Sequence, residues 1–136
     1  MKDQFLLTFE EGLPKGTAQQ KRYDPRRGIY FKDRKLLDLE RIFHIALKPY
    51  RPEKPSDRPI RLDIWLTFSI KAPKRVWGTW KPTKPDVDNY VKAFIDQLSG
   101  DFFYDDAQVV DLRVRKTYAE KASIFVQWEE LGERPI

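Results

Sequence analysis

The chain has 136 residues, with 26 Lys or Arg against 21 Asp or Glu, so its formal net charge is +5. The lack of cysteine excludes thiol catalysis, disulfides and cysteine-ligated metals, and the single histidine, His44, excludes a histidine-rich metal site. No apolar run is long enough for a membrane-spanning helix. We therefore expect one soluble domain over 1–136 whose chemistry depends on carboxylates, lysines, hydroxyls or a bound metal.

The first half of the chain predicts two short strands and one helix, with a basic segment among them. Alternating apolar residues over 5–9 predict a short strand. A basic loop follows over 13–32 and ends in a short strand at 29–31. Asp33 is well placed to cap a helix over 34–48, whose apolar residues recur at helical spacing.

The second half predicts one helix between strands. Six apolar residues alternate over 60–70 and predict the clearest strand, and a second basic loop follows it. Helical spacing predicts a helix over 87–98. Strands over 110–114 and 124–128 are close enough in sequence to predict an antiparallel hairpin. The order β-α-β-α-β-β predicts the α+β class, with two main helices packed on a mixed sheet.

Charge changes sign abruptly along the second half. Residues 71–85 contain five basic residues and no acid, and residues 86–112 contain seven acids opposed only by Lys92. The seven acids are Asp86, Asp88, Asp96, Asp101, Asp105, Asp106 and Asp111. Carboxylates at this density repel one another unless a cation compensates them, and hard oxygen ligands suit Mg²⁺ or Mn²⁺.

The predicted elements can bring several of these acids together. Asp86 is expected just outside the helix, Asp88 in its first turn, and Lys92 one turn further on the same face. Asp105 and Asp106 follow at the start of the next strand. Such a cluster suits phosphodiester hydrolysis, in which a metal activates water and a lysine stabilises developing charge.

Each of these residues also has a plain structural interpretation. Asp86 is suited to capping the helix, and Asp88 with Lys92 is suited to an ordinary surface ion pair. Asp105 and Asp106 are compatible with a solvated turn. These alternatives remain open at the level of sequence, although their joint occurrence within 21 residues favours a site.

The two basic segments are candidates for holding a phosphate backbone, with aromatic residues between them that can stack on unpaired bases. The ten candidate DNA-binding residues are Lys15, Lys21, Arg22, Arg26, Arg27, Lys71, Lys74, Arg75, Lys81 and Lys84. The four aromatic candidates are Tyr23, Tyr30, Trp77 and Trp80. The alternative is that these charges serve solubility alone.

The stretch 84–116 resembles the RusA family of Holliday junction resolvases. The family pattern is D-x-D-N-x-x-K at a helix start, followed by D-D-x-Q-V at a strand start. The matching residues are Asp86, Asp88, Asn89, Lys92, Asp105, Asp106, Gln108 and Val109. A weaker similarity covers the basic segment 20–31.

The resemblance implies a homodimeric, Mg²⁺-dependent endonuclease, in which Mn²⁺ can substitute, that cuts four-way DNA junctions by paired symmetric incisions. It implies three catalytic, metal-binding carboxylates: Asp86, Asp88 and Asp106. It makes Lys92 the catalytic lysine and adds Asp105 to the catalytic residues, with Asp105 and Asn89 orienting the others. It also implies a bacterial or phage-encoded protein of the cytoplasm that associates with branched DNA and with no membrane.

Two other functions remain open. A non-catalytic branched-DNA-binding protein of phage or prophage origin explains the basic and aromatic residues equally well, but does not explain the spacing of the acids. A metal-dependent enzyme of nucleotides ranks last, because the sequence has no glycine-rich phosphate loop.

Overall fold

The computed structural model describes residues 2–15, 21–69 and 73–134. Its strands are β1 (Lys2–Phe9), β2 (Lys21–Asp24), β3 (Ile29–Lys32), β4 (Ile60–Phe68), β5 (Val109–Tyr118) and β6 (Ala122–Glu130). Its helices are α1 (Arg34–Leu47) and α2 (Val87–Leu98), with short 3₁₀ turns at Lys48–Tyr50, Lys74–Val76 and Asp106–Gln108. A mixed sheet with the order β1-β6-β4-β5 carries the two helices, which confirms the predicted α+β class.

The core lies between one face of the sheet and the two helices. Every second residue of β4 is buried, from Ile60 to Phe68, as its alternation predicted. Phe43 of α1 and Phe94 of α2 are fully buried and meet edge to face, with ring centroids 5.1 Å apart. The Asp33 carboxylate accepts the Lys35 backbone N–H at 3.3 Å, so the predicted cap of α1 is confirmed. None of the described helices is both long and apolar enough to cross a membrane.

The predicted antiparallel hairpin of the last two strands is wrong. Strand β4 lies between them, parallel to β5 and antiparallel to β6, so that Leu62 has Leu112 on one side and Trp128 on the other. The path from β4 to β5 passes through α2, and such a crossover joins parallel neighbours. Sequence alternation shows which face of the sheet a residue occupies but not which strand lies beside it.

The basic segment is more ordered than the predicted loop. The predicted strand at 29–31 is confirmed within β3, but β3 pairs with an unpredicted strand, β2, in a separate two-stranded sheet. The turn between them has Gly28 at φ 64°, and Asp24 accepts the Arg26 backbone N–H at 2.9 Å. Since both faces of this hairpin are largely exposed, its sequence carries no core pattern that could have predicted β2.

Candidate active site

Asp86 begins helix α2 with its backbone extended, at φ −64° and ψ 134°. Its carbonyl accepts the Tyr90 backbone N–H at 3.0 Å, but its carboxylate makes no capping hydrogen bond. The capping interpretation of the side chain is therefore wrong. The helix fixes the backbone of Asp86 and leaves its carboxylate available for a ligand.

Asp88, Lys92 and Asp96 lie at intervals of one helical turn and face a groove between α2 and β5. Apolar side chains of both elements, including Val91 and Val109, form the rest of its lining. Lys92 lies 4.0 Å from Asp96, and the described residues include no ion pair between Lys92 and Asp88. The surface-pair interpretation of Asp88 is therefore not what the structure shows, and its carboxylate is open to the groove.

The acidic turn before β5 is held by its own first residue. The Asp105 carboxylate accepts the Ala107 backbone N–H at 3.1 Å, and the Gln108 side chain accepts the Asp105 backbone N–H at 2.9 Å. This reciprocal capping box gives the turn Asp106–Gln108 a fixed shape. Asp105 thus orders the turn, and Asp106 lines the groove that Asp88 and Lys92 also face.

Carboxylates crowd one another at this turn. A hydrogen bond with Asp105, a small loss of hydration and the nearby charges of Asp105 and Asp96 raise the pKa of Asp106, against the opposing effect of Lys92. Hydrogen bonds from the Ala107 backbone and from Asp106 lower the pKa of Asp105. A cation bound here would relieve the repulsion that raises the Asp106 pKa.

Helix α2 runs antiparallel to β5, so the acids are spread along the groove. The Asp86 end of α2 lies beside Lys116, late in β5, because the Lys116 ammonium donates to the Pro85 carbonyl at 2.6 Å. The Asp96 end lies near Asp106, just before β5 begins. Ten residues of helix separate these two ends, which is about 15 Å along the axis.

The acidic side chains are of the type that Mg²⁺ prefers as ligands, but the described part of one chain does not bring three of them together. Within residues 2–15, 21–69 and 73–134, no three acidic or histidine side chains are grouped closely enough to hold a metal. Mg²⁺ prefers oxygen ligands and is commonly bound by one or two carboxylates together with substrate phosphates and water. Asp88, with Asp86 just before it in sequence, and Asp106, toward the other end of the groove, supply oxygen ligands of this kind.

Sequence reasoning missed one side chain at the groove and one that anchors it. The family motif gives Asp96 no role at the site, although its spacing from Asp88 and Lys92 places it on the same helical face. Gln108 was matched to the family pattern without a role. Its amide donates to the carbonyls of Ser56 and Arg58 at 2.8 and 2.9 Å, which ties the acidic turn to the segment before β4.

Replacing Gln108 with glutamate tests this anchor. Gln108→Glu keeps the shape and the acceptor for the Asp105 N–H but loses both donated bonds. A misplaced turn should slow the predicted phosphodiester hydrolysis by about 10- to 100-fold, the scale expected for displaced catalytic groups. Single-turnover rates measure this, with Gln127→Glu on the outer face of the sheet as the control. Equal rates for Gln108→Glu and wild type would show that the anchor is irrelevant to chemistry.

The predicted DNA-binding residues fall into three groups. Lys15, Arg26, Lys74, Arg75 and Lys84 are exposed. Three others have partners: Arg22 with Asp33 at 3.5 Å, Arg27 with Asp24 at 2.7 Å, and Lys81 with the rings of Phe68 and Tyr118. Lys71 and the side chain of Lys21 lie outside the described residues.

Aromatic side chains accompany these charges. Tyr30 is 73% exposed and packs beside Tyr23 on the hairpin, with ring centroids 5.0 Å apart. Trp80 is 67% exposed in the second basic segment. Exposed rings beside basic side chains form a surface suited to unpaired bases.

An acidic groove in a chain that also exposes basic segments is typical of nucleases that act through a bound metal. The chain matches the family described as endodeoxyribonuclease RusA over residues 11–129, and it belongs to that family. This confirms the resemblance drawn from the motif and indicates nuclease activity on DNA.

Two relatives are similar over most of their own lengths. The uncharacterized protein YqaN of Bacillus subtilis (strain 168) is 32% identical over 137 residues, which cover 90% of this chain and 89% of YqaN. The crossover junction endodeoxyribonuclease rusA of Lactococcus phage r1t is 30% identical over 131 residues, which cover 93% of this chain and 98% of the phage protein.

Proposed function

We propose that the protein is a Mg²⁺-dependent, structure-selective endonuclease that resolves four-way DNA junctions by paired symmetric incisions. The observation that carries this proposal is the groove lined by Asp88, Lys92 and Asp106 in a member of an endodeoxyribonuclease family. The name of the Lactococcus phage relative supports the junction as substrate. Mn²⁺ is expected to substitute for Mg²⁺ because it accepts the same oxygen ligands.

Asp86, Asp88 and Asp106 would hold the metal, which when bound polarises a phosphoryl oxygen and lowers the pKa of an attacking water. The Lys92 ammonium, on a long side chain that is 63% exposed, is free to move from Asp96 to a phosphate oxygen. There it stabilises the negative charge that develops during cleavage. Asp105 does not contact the substrate in this proposal; it keeps the turn that presents Asp106.

The exposed basic residues would bind the phosphate backbone of the junction arms. The hairpin β2–β3 and the segment 73–84 present these charges with Tyr30 and Trp80 among them. Backbone contacts position the DNA, and stacking of rings on unpaired bases favours a branched substrate over an intact duplex.

A homodimer completes this site in our proposal. Strand β5 is an edge strand of the four-stranded sheet. Val110 and Leu112, in its first half, are 62% and 46% exposed. Residues 78–81 bond only to the last part of the strand. Two copies paired antiparallel along β5 would place Asp106 of each near Asp86 of the other. This closes the ~15 Å gap along the helix axis and gives the two-fold symmetry that paired cuts require.

The test uses a supercoiled plasmid that extrudes a cruciform, which contains a four-way junction. Wild-type protein with Mg²⁺ is expected to cut both strands symmetrically during one binding event and to linearise the plasmid. A plasmid without the cruciform and a reaction with chelator are the controls, and both should remain uncut. Random nicking of either plasmid would contradict the proposal. The proposed setting, the cytoplasm of a bacterium or of a phage-infected cell, contains such DNA.

The second candidate is a non-catalytic protein that binds branched DNA. Its specific support is that the described part of one chain holds no group of three metal-binding side chains. Tight junction binding without cleavage in Mg²⁺ or Mn²⁺ would favour this candidate over the nuclease.

A further inference from the structure

Lys116 is a second lysine near the proposed site, at the Asp86 end of helix α2, and the motif gives it no role. It lies near the end of β5, and its ammonium donates to the carbonyls of Thr83 and Pro85 at 2.5 and 2.6 Å. Its own backbone carbonyl accepts the Lys81 N–H at 3.1 Å. One residue of the sheet thus binds the segment before α2 through both its side chain and its main chain.

This segment leads directly to Asp86. Residues 78–81 are held on β5 by main-chain hydrogen bonds, which stop before Thr83. Among the described contacts, the hydrogen bonds that join the backbone of Thr83 and Pro85 to the sheet are those donated by the Lys116 ammonium. On its other side, Asp86 is fixed by the bond of its carbonyl to Tyr90 in α2. Lys116 therefore constrains the backbone on the N-terminal side of a carboxylate that has no capping bond, in addition to the side-chain contact of Thr83 with Tyr118 at 3.5 Å.

The surroundings of Lys116 also fit a half-buried anchor better than a mobile surface charge. Burial and the nearby charge of Lys81 lower the pKa of Lys116, against the opposing attraction of Asp86. Its described hydrogen bonds go to main-chain carbonyls, and a bond from a charged donor is stronger than one between neutral groups. Asp86 is the carboxylate that acts on its charge.

We infer that Lys116 is a positioning residue for the proposed metal site: it holds the backbone of Thr83 and Pro85 and thereby sets where the Asp86 carboxylate lies. The inference rests on the proposed function for the identity of the ligand. The position of the backbone itself does not depend on that function.

The direction in which Mn²⁺ affinity changes in a Lys116 variant distinguishes a positioning role from a purely electrostatic one. Lys116→Met keeps the length of the side chain but loses its donors and its charge. If Lys116 contributed only positive charge, its removal would strengthen the binding of a cation nearby. If it positions Asp86, removal should weaken Mn²⁺ binding by about 10- to 100-fold, as loss of a residue that orients a metal ligand does.

The experiment titrates Mn²⁺ into the full-length protein without DNA, with free Mn²⁺ followed by electron paramagnetic resonance. Lys116→Arg retains charge and donors and should recover part of the affinity, and Lys121→Met, exposed beside the start of β6, is the matched control. Unchanged or tighter Mn²⁺ binding by Lys116→Met would overturn the inference.

Hydrogen exchange provides a readout that needs no metal. Lys116→Met is expected to speed exchange in a peptide spanning 82–90, because the backbone of Thr83 and Pro85 loses its bonds to the Lys116 ammonium. Unchanged exchange there would overturn the inference whatever the metal data show. If wild type neither binds Mn²⁺ nor cuts junctions, the proposed function fails, and the exchange result alone decides the role of Lys116.

Discussion

Asp88→Asn should bind four-way junctions as wild type does and should cut them about 10³-fold more slowly. The amide keeps the size of the side chain but removes the charge of a residue that faces the groove without a described partner. Loss of one group that stabilises the transition state costs on the order of 10²- to 10³-fold in rate, and a weakened metal site adds to this loss. Single-turnover cleavage and gel-shift binding in Ca²⁺ measure the two effects separately.

Asp38→Asn is the matched control, because Asp38 is also an exposed aspartate on a helix but lies on α1. It should cut at the wild-type rate. Wild-type cutting by Asp88→Asn would defeat the site assignment.

The same variant tests whether the site is shared between copies. Asp88→Asn and Asp106→Asn should each be inactive alone. In a mixed dimer whose sites combine Asp88 of one copy with Asp106 of the other, one site is intact and the cruciform plasmid is nicked but not linearised. If all three acids act within one chain, every site in the mixture is defective, and no nicking appears.

The parts of the fold that were predictable are those set by local pattern. Helix α2 begins and ends where its helical spacing predicted, and Asp33 caps α1 as expected. Strand neighbours were not predictable in the same way. Val114 shows the same alternation whether its strand pairs with β4 or with β6, and only the packing of α2 selects β4.

The residues of the site show the same difference between what local spacing predicts and what long-range contacts decide. Asp88 and Lys92 are four residues apart, so their common face follows from helical geometry. Lys116 and Gln108 act on segments 31 to 52 residues away in sequence, through hydrogen bonds to main-chain carbonyls. Such acceptors exist at every residue, so no pattern of side chains could have identified them. The capping role of Asp105 could not be predicted for another reason: in the motif Asp105 and Asp106 are adjacent acids, and nothing in it distinguishes their roles.

Removing exposed basic residues should change how junction affinity depends on salt. Arg26 lies in the turn of the hairpin, and Lys74 and Arg75 lie in the second basic segment. If each neutralises one phosphate, the triple alanine variant loses about 0.9 units of slope per contact, or nearly 3 units in a plot of log affinity against log salt. At about 0.1 M salt this corresponds to a loss of roughly 10²- to 10³-fold in affinity.

Binding is measured in metal-free buffer so that no DNA is cut, from low to moderate salt, with junction and linear duplex side by side. The triple variant Lys48→Ala/Lys54→Ala/Lys121→Ala removes the same charge from exposed positions outside the two basic segments and should keep most of the wild-type slope. If the two triple variants lose the same slope, net charge alone governs binding, and the hairpin does not contact the backbone. If only the first loses slope, and loses it on both DNAs, these residues bind phosphates. The preference for junctions must then come from elsewhere, and the exposed rings of Tyr30 and Trp80 are placed to supply it.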